Sequence, residues 1–414
     1  ASDPRTATFE VTGDQDGLKI YGGFAGTEST LAERGLGAGH ETILSGDTDQ
    51  DGTLSSNSYH VLVLNGGGSI GRSVSANVTP ATVLDGVTVT SGQAGGSFPN
   101  NRGGGLYCDG DNAGNVCSPQ IINAIFTGNA ASGQGGAIYN TGSFGGGSSP
   151  QISNSIFTDN TASQGGAIYN SVISSGTNRP KITNATFVSN SAGEGGAIYN
   201  RGYYTFNSTN MPEITNTILW GNGDEIRNFD AFPVYSHSLV QGVDPDGSND
   251  TGNLDGTTDP LFANASNPSG ADGVFGTVDD GLHLSPGSPA LDAGDDNAIS
   301  LAGDITGAPR RQDAGIDLGA YEGSADLALT LYVDANAGDD AGDGTTWNQA
   351  FATLQKALSV ATGNDQIWIA QGTYYPDKGP GVTENSRGAS FTVTGSQDGL
   401  QIYGGFANGD AFAD

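Results

Sequence analysis

Short runs of alternating apolar and polar residues recur at a nearly constant spacing in the first half of the chain. The hexapeptide Gly-Gly-Ala-Ile-Tyr-Asn occurs three times, 30 residues apart, at 135–140, 165–170 and 195–200. A Phe-x-x-Asn element precedes each copy, at 126–129, 157–160 and 187–190. The residues between these elements read Ile-x-Asn-x-Ile/Thr-Phe. This short, β-branched alternation predicts strands and carries no helical period.

Strands that repeat at a fixed period, with no helices between them, cannot each bury a face alone. They bury it when they stack as rungs of a parallel β-helix, in which each strand pairs with its equivalent ~4.8 Å along the axis. A β-propeller is the alternative, but its four-stranded blades need about 40 residues or more. The pattern therefore predicts an all-β parallel β-helix.

Equal periods place like residues above like, so two side-chain ladders are expected. One is an asparagine ladder of Asn129, Asn160 and Asn190, continued by Asn222. The other is a tyrosine ladder of Tyr139, Tyr169 and Tyr199. Stacked asparagines satisfy one another and the turn backbone inside a solenoid, so we interpret them as structural and not as a sugar-binding array.

A second, longer repeat occurs once near each end of the chain. Residues 5–24 and 387–406 are identical at 15 of 20 positions, with an offset of 387 − 5 = 382 residues. The chain is therefore expected to contain most of one large unit and the start of the next. A covalent tandem array explains this simply, and head-to-tail subunits are the alternative.

One segment departs from the strand pattern. Over 348–361, Phe351, Leu354 and Leu358 share one helical face, and Asn348 suits the N-cap. We predict a short helix there that caps the exposed edge of a first rung. The predicted organisation is a β-helix body with its C-terminal end over 1–323, a short linker over 324–330, and the cap and first rungs of the next tandem unit over 331–414.

These motifs resemble two known families. The paired Gly-Gly-Ala-Ile and Phe-x-x-Asn motifs are similar to the repeats of chlamydial polymorphic outer-membrane proteins. Residues 282–294 and 317–322 look like the end of bacterial choice-of-anchor β-helix surface proteins, and 332–336, 343–347 and 403–406 look like their start. The resemblance implies a right-handed β-helix on the outside of a bacterial-type cell. It implies little about chemistry, because such families are defined by location and fold.

The net charge of the chain limits the classes of partner that it can bind. Only 14 residues are Lys or Arg against 45 Asp or Glu, which gives a net charge of −31. Nucleic acid is excluded as a partner, because a phosphate backbone needs a basic surface. No apolar stretch approaches the ~20 residues that span a bilayer, so no membrane insertion is expected in this segment. Cations are the partners that an acidic chain of this kind attracts. We expect the protein to be extracellular or at the cell surface.

The two cysteines, Cys108 and Cys117, flank a polar loop. We predict a disulfide between them, which indicates an oxidising compartment outside the cell. A metal site is the alternative, although no other Cys or His lies nearby to complete four ligands.

Acidic loops are the candidate metal sites. Asp47, Asp49 and Asp51 stand at i, i+2 and i+4 before Gly52, and a bent loop of this kind supplies oxygens to Ca²⁺. The twelfth position is Ser58 where an EF-hand has Glu, so a simpler structural calcium loop is predicted. Two further candidate sets are Asp244, Asp246 and Asp250, and Asp272, Asp279 and Asp280. The alternative for each set is an acidic surface turn.

Catalysis is the rival class of function. Gly-Asp-Asp at 294–296 and 338–340 is similar to a motif of polygalacturonases, but their Gly-His-Gly and Arg-Ile-Lys motifs are missing. Adjacent carboxylates on a strand point apart, whereas glycoside hydrolysis needs a facing pair. No arginine lies inside an acidic calcium motif, where a lyase needs a base.

We therefore expect no enzyme activity. The favoured function is an extracellular structural filament or giant repeat adhesin of tandem calcium-stabilised units, whose partner is another copy of the same unit. Binding of cell-surface glycans or receptors is the alternative.

Overall fold

The protein is described by a computed structural model that covers residues 3–37, 39–66, 77–203, 208–243, 251–298, 301–312, 314–323, 330–342, 344–361, 365–394 and 400–407. The chain divides into two compact units, 1–322 and 323–414. Residues 324–329 of the predicted linker lie outside the described residues.

The first unit is a parallel β-helix. Three sheets of seven parallel strands take one strand each from every turn of the chain. Sheet 1 contains Phe9–Thr12, Leu62–Asn65, Leu106–Asp109, Ile138–Thr141, Ile168–Ser171, Ile198–Arg201 and Ile226–Phe229. Sheet 2 contains Lys19–Tyr21, Val83–Asp85, Gln120–Ile122, Gln151–Ser153, Lys181–Thr183, Glu213–Thr215 and Val234–Ser236. Sheet 3 contains Ile43–Ser45, Thr88–Thr90, Ile125–Thr127, Ile156–Thr158, Thr186–Val188, Ile218–Trp220 and Leu239–Val240.

Two shorter sheets contain four parallel strands each, and in the sequence these strands fall between the strands of sheets 1, 2 and 3. Sheet 4 contains Gln93–Ala94, Ala130–Ala131, Thr161–Gln164 and Ser191–Glu194, and sheet 5 contains Val116–Cys117, Gly147–Ser148, Thr177–Asn178 and Thr209–Asn210. Short 3₁₀ turns occupy Pro4–Thr6, Gly13–Gln15 and Leu31–Glu33. The predicted all-β parallel β-helix is confirmed.

The register places like residues above like. Phe126 pairs with Phe157, which pairs with Phe187, and their rings stack with centroids 5.1 and 4.5 Å apart. All three rings are fully buried inside the helix. Tyr139, Tyr169 and Tyr199 form the predicted tyrosine ladder in sheet 1. Stacked rings contribute about 0.5–1.5 kcal/mol per pair beyond the burial of their apolar area, so each rung stabilises the next.

The last part of the first unit covers one face of the β-helix. In sheet 3 the residues that alternate with the inward phenylalanines, Ile125 and Ile156, point outward and are apolar. They pack against Leu282, Ile305 and Tyr321 of the irregular segment 251–322. The sequence of this segment indicates only the end of a unit, and the structure shows that the segment lies on sheet 3.

The second unit contains one three-stranded parallel sheet and one helix. Sheet 6 contains Thr330–Val333, Gln366–Ala370 and Gln401–Phe406. The α-helix spans Leu354–Val360 and follows a 3₁₀ turn at Trp347–Gln349. Leu358 of the helix is buried against Leu331 and Ile367 of sheet 6. No helix among the described residues is long and apolar enough to cross a membrane.

The predicted start of this helix was wrong. The helix begins at Leu354, and Thr353 is its N-cap in place of Asn348, with its hydroxyl accepting the Lys356 N–H at 3.2 Å. Phe351 N–H donates to the carbonyl of Tyr332, and Phe351 O accepts the Asp334 N–H, so both backbone groups of residue 351 pair with the neighbouring strand in a parallel bridge and its carbonyl is not available to a helical turn.

Candidate calcium site

The loop that carries the first acidic cluster leaves the β-helix directly after Ile43–Ser45 of sheet 3. Gly46 N–H donates to Thr90 O at 2.9 Å, and Ser58 N–H donates to Gly46 O at 2.8 Å. The first bond joins the start of the loop to the second rung, and the second bond joins the two ends of the loop to each other.

Asp47, Asp49 and Asp51 converge in this loop. One carboxylate oxygen of each lies within 4.8 Å of the other two. Asp47 Oδ1 is shielded from solvent and has no hydrogen-bond partner among the described residues. Three carboxylates at this separation repel one another unless a cation lies between them. Oxygen donors from a short loop are the ligands that Ca²⁺ prefers, so the residues present fit this ion.

The other carboxylate oxygens hold the loop in shape. Asp47 Oδ2 accepts the Gly52 N–H at 3.1 Å, and Gly52 has a φ of 71°, which favours glycine. The Ser56 hydroxyl donates to Asp49 Oδ2 at 2.6 Å, and this hydrogen bond holds the pKa of Asp49 below its usual value. This shift favours the ionised form of Asp49, which is the form that binds a metal.

The other predicted acidic sets do not form such a cluster among the described residues. Asp279 Oδ2 accepts the N–H groups of Ala271 and Asp272 at 2.7 and 3.2 Å, so it closes a turn. Asp280 is buried and accepts the Tyr321 hydroxyl at 2.5 Å, and burial raises its pKa. These carboxylates are occupied by hydrogen bonds that hold segment 251–322 together. The third set, Asp244, Asp246 and Asp250, lies outside the described residues.

Cys108 and Cys117 form a disulfide in the structure, with Cα atoms 5.7 Å apart. Cys108 lies in sheet 1 and Cys117 in sheet 5, and both are fully buried in the core. The bond closes the polar loop between the two sheets.

The asparagine ladder is confirmed. Asn129 Nδ2 donates to Asn160 Oδ1 at 3.1 Å, Asn160 donates to Asn190 at 2.9 Å, and Asn190 donates to Asn222 at 2.8 Å. The ladder ends on Glu225, whose Oε2 accepts Asn222 Nδ2 at 2.6 Å. Burial raises the pKa of Glu225 to about 7.

A second ladder was missed, although the sequence contains its signal. Asn140, Asn170, Asn200 and Asn228 are linked through their side chains at 2.9, 2.8 and 2.8 Å. Asn140 is the last residue of the repeated hexapeptide, so its 30-residue recurrence predicts this ladder as directly as it predicts the tyrosine ladder.

A third asparagine column holds the covering segment. Asn154 and Asn184 have left-handed backbones that turn the chain from sheet 2 to sheet 3. Asn154 Nδ2 donates to Gly303 O at 3.1 Å, and Asn184 Nδ2 donates to Asp317 O at 3.1 Å. These contacts join positions more than 130 residues apart in the chain, so the repeat alone did not predict them.

A buried ion pair strengthens the same contact. Arg310 Nη2 donates to Asn154 Oδ1 at 2.7 Å, and Arg310 Nη1 lies 3.5 Å from Glu322 Oε2. Both charged side chains are almost fully buried. Burial, helped by the neighbouring Asp317 carboxylate, outweighs the Arg310 charge and raises the pKa of Glu322 to about 8.

The two Gly-Asp-Asp segments also use their carboxylates structurally. Asp296 forms an ion pair with Arg311, and Asp295 Oδ1 accepts the Asn297 N–H at 3.0 Å. Asp340 accepts the N–H and the hydroxyl of Thr353 at 2.8 and 2.6 Å, which fixes the start of the helix.

A cleft of about 380 Å³ lies on the outer face of sheet 3. Its walls combine threonines from successive rungs, including Thr88 and Thr127, with His40, Asp159 and Phe275. No sequence signal marked it, because its walls come from segments that are distant in the chain.

Comparison with known proteins identifies part of the β-helix. Residues 123–141, 154–171 and 184–201 match the model of the Chlamydia polymorphic membrane protein repeat. These three turns are therefore similar to polymorphic-membrane-protein repeats. Each match begins at the left-handed asparagine and ends with the strand of sheet 1, so the repeat unit coincides with one turn of the solenoid. The resemblance to these repeats is thereby confirmed. A search of the curated proteins found no match.

Proposed function

We propose that this chain belongs to an extracellular structural filament or giant repeat adhesin, built of tandem calcium-stabilised β-helix units and without catalytic activity. The observation that carries the proposal is the duplicated segment, which is identical at 15 of 20 positions between 5–24 and 387–406. It supplies a strand in each compact unit, Lys19–Tyr21 in the first and Gln401–Phe406 in the second. The same structural element therefore recurs after 382 residues.

The internal bonding of the first unit supports a role as a stiff rod. Backbone ladders run along the axis through seven rungs, and buried asparagine and aromatic columns run parallel to them. Each rung is bonded to the next by the backbone and by the side chains, so axial force is shared among many hydrogen bonds. The polymorphic-membrane-protein repeats and the disulfide support a location outside the cell.

Calcium is proposed at Asp47, Asp49 and Asp51, where the carboxylates converge and Asp47 Oδ1 lacks a partner among the described residues. The ion would neutralise their mutual repulsion and tie the 46–57 loop to the first rung. The absence of catalysis is supported by the carboxylates of both Gly-Asp-Asp segments, which are engaged in turns and an ion pair.

Electron microscopy of the native material, with and without a calcium chelator, tests the proposal. Filaments with an axial repeat of one 382-residue unit that loosen on chelation are the expected result. A matched variant, Asp49→Asn, should give filaments that are already loose and do not respond to the chelator. Isolated short particles that ignore the chelator would rule out the filament.

The cleft on sheet 3 favours one alternative, an adhesin that binds glycans. Threonine, aspartate and phenylalanine side chains, which line this cleft, are of the types that hold sugar rings through hydrogen bonds and apolar contact. Glycan-array binding that is lost in Phe275→Ala and kept in the control Phe232→Ala, an exposed ring on the last turn, would support it. Equal signals from both variants would reject the cleft as the site.

A further inference from the structure

The cleft on sheet 3 is bounded by three parts of the first unit. Threonines of the second and third rungs line it, together with Asp159 of the fourth rung. Residues of 36–43 form a second wall, and residues of 268–275 in the covering segment form a third. The volume of about 380 Å³ lies within the ~300–1,000 Å³ that small-ligand sites occupy, so the cleft has room for a small ligand.

Backbone contacts hold these walls in place. Thr88 N–H donates to Thr42 O at 2.9 Å, which joins the wall at 36–43 to the second rung. A Cβ atom on Gly37 would lie 2.3 Å from Gly276 O, so the same wall touches the covering segment at a point where only glycine fits. Because main-chain atoms fix both contacts, the cleft is formed before a ligand enters it.

The outward side chains of sheet 3 change character at the cleft. Ile156 and Val188 are buried under the covering segment. Thr88 lies in the same column as Ile156, and Thr127 lies in the same column as Val188. Both threonines line the cleft and are half-buried. Side chains that can form hydrogen bonds therefore replace apolar ones where the covering segment leaves the sheet accessible.

Asp159 adds a charge that the fold does not require. It occupies the bend after the strand Ile156–Thr158, with a left-handed φ of 56°. Gly128 and Ser189 occupy the same bend on the neighbouring rungs, with φ of 63° and 59°. The bend therefore needs a residue that accepts a left-handed backbone, and a carboxylate is not needed. The side chain of Asp159 is exposed and accepts the hydroxyl of Thr158 at 3.2 Å.

The cleft carries negative charge without a compensating cation. Glu41 and Asp159 line it, and neither forms an ion pair with a described residue. No Lys or Arg occurs among the described residues of the lining, in which His40 is the other ionisable side chain. The guanidinium of Arg34 lies beside the lining but is paired with Asp85 at 2.6 Å. A partly enclosed negative surface attracts cationic ligands and repels anionic ones, and the net charge of −31 adds to this effect.

We infer that the cleft on sheet 3 binds an amino sugar in its ammonium form, in preference to the N-acetylated and N-sulfated forms of the same sugar. Threonine side chains hydrogen-bond the ring hydroxyls, Phe275 supplies apolar contact, and Glu41 and Asp159 bind the ammonium group. An amine of this type is largely protonated near neutral pH, since α-amino groups have a pKa of ~7.7–8.0. The inference rests on the second candidate function, the glycan-binding adhesin, and names the class of glycan.

Titration calorimetry of the full chain, in low-salt buffer near neutral pH, tests the charge selectivity. The ligands are a glucosamine disaccharide, its N-acetylated form and its N-sulfated form. They share one ring skeleton and carry positive, no and negative charge at the nitrogen substituent. We expect the affinity to fall in that order, by roughly two- to five-fold at each step. Equal affinity for the amine and the N-acetylated form, or tighter binding of the N-sulfated form, would overturn the inference.

A pair of matched variants locates the ammonium group. Asp159→Asn removes the charge and keeps the bend, because Asn accepts a left-handed backbone. It should weaken binding of the amine roughly two- to five-fold and leave binding of the N-acetylated form unchanged. Asp230→Asn is the control, since Asp230 is also exposed and left-handed, with a φ of 49°, but does not line the cleft. Far-UV circular dichroism shows whether both variants are folded. Equal losses in the two variants would mean attraction to the net charge of the chain and would overturn the inference.

The inference and the function on which it rests fail in different ways. Equal binding of all three disaccharides that is lost in Phe275→Ala would keep the glycan-binding cleft and reject the preference for an amino sugar. Absence of binding by all three, or binding that Phe275→Ala leaves intact, would reject the cleft as the glycan site and the inference with it.

Discussion

The asparagine ladder makes a quantitative prediction at Asn160. The side chain of Asn160 takes part in five hydrogen bonds, all inside the protein. Its Nδ2 donates to Phe126 O, Thr158 O and Asn190 Oδ1, and its Oδ1 accepts from the backbone N–H and the side chain of Asn129. Asn160→Ala removes all five and leaves the buried N–H of Asn129 without this acceptor. The two Nδ2 hydrogens share three acceptors, so the five contacts count as about four full bonds of ~1 kcal/mol net each, and we expect the free energy of unfolding to fall by roughly 4 kcal/mol.

Urea unfolding followed by far-UV circular dichroism measures this loss. Gln164→Ala is the matched control, since Gln164 is an amide in the same turn that donates to Glu194 at 2.8 Å on the half-exposed outer face. Its loss should stay below ~1 kcal/mol, because water replaces an exposed hydrogen bond. Hydrogen exchange of the Asn129 amide should accelerate only in Asn160→Ala. Equal losses in the two variants would refute the view that the buried ladder stabilises the stack.

Three further predictions follow from the same structure. Calcium should raise the melting temperature of the wild type and leave that of Asp49→Asn unchanged; equal shifts would place the ion elsewhere. Burial raises the pKa of Glu225 from 4.5 to about 7, so folding favours the protonated form of this group. The free energy of unfolding should therefore fall as the pH rises between these two values, by roughly 3 kcal/mol for this group. Glu225→Gln should flatten that part of the stability–pH curve, and an unaltered slope would contradict the assignment. Arg310→Ala removes the buried hydrogen bonds from the guanidinium to Asn154 Oδ1 and Gly319 O. Because hydrogen bonds of a charged group contribute ~1.5–3 kcal/mol each, it should cost about 3–5 kcal/mol, seen as faster proteolysis of 251–322. The half-exposed Arg311→Ala should cost less than ~1 kcal/mol.

The sequence was sufficient for the architecture of the repeats. In a solenoid the spatial neighbour of a residue is its equivalent one turn away, so a fixed period along the chain is also a list of contacts. The spacing of Asn129, Asn160 and Asn190 in the sequence is therefore enough to place them in one ladder. The convergence of Asp47 and Asp51 can also be predicted from the sequence, because residues four apart in a tight loop lie close together whatever surrounds the loop.

The contacts of the irregular segments were decided only by the tertiary structure. Arg310 and Glu322 lie outside the repeats, and no local pattern indicates that they bury an ion pair against Asn154, 156 residues away. Phe351 fits a helical pattern, but both its N–H and its carbonyl pair with the strand at Tyr332 and Asp334, which keeps it out of the helix. Asp280 resembles a metal ligand in sequence, and its bond to Tyr321 gives it a structural role. Local periodicity encodes contacts at a fixed separation, whereas a segment without a period takes its partners from whichever apolar surface the repeats leave uncovered.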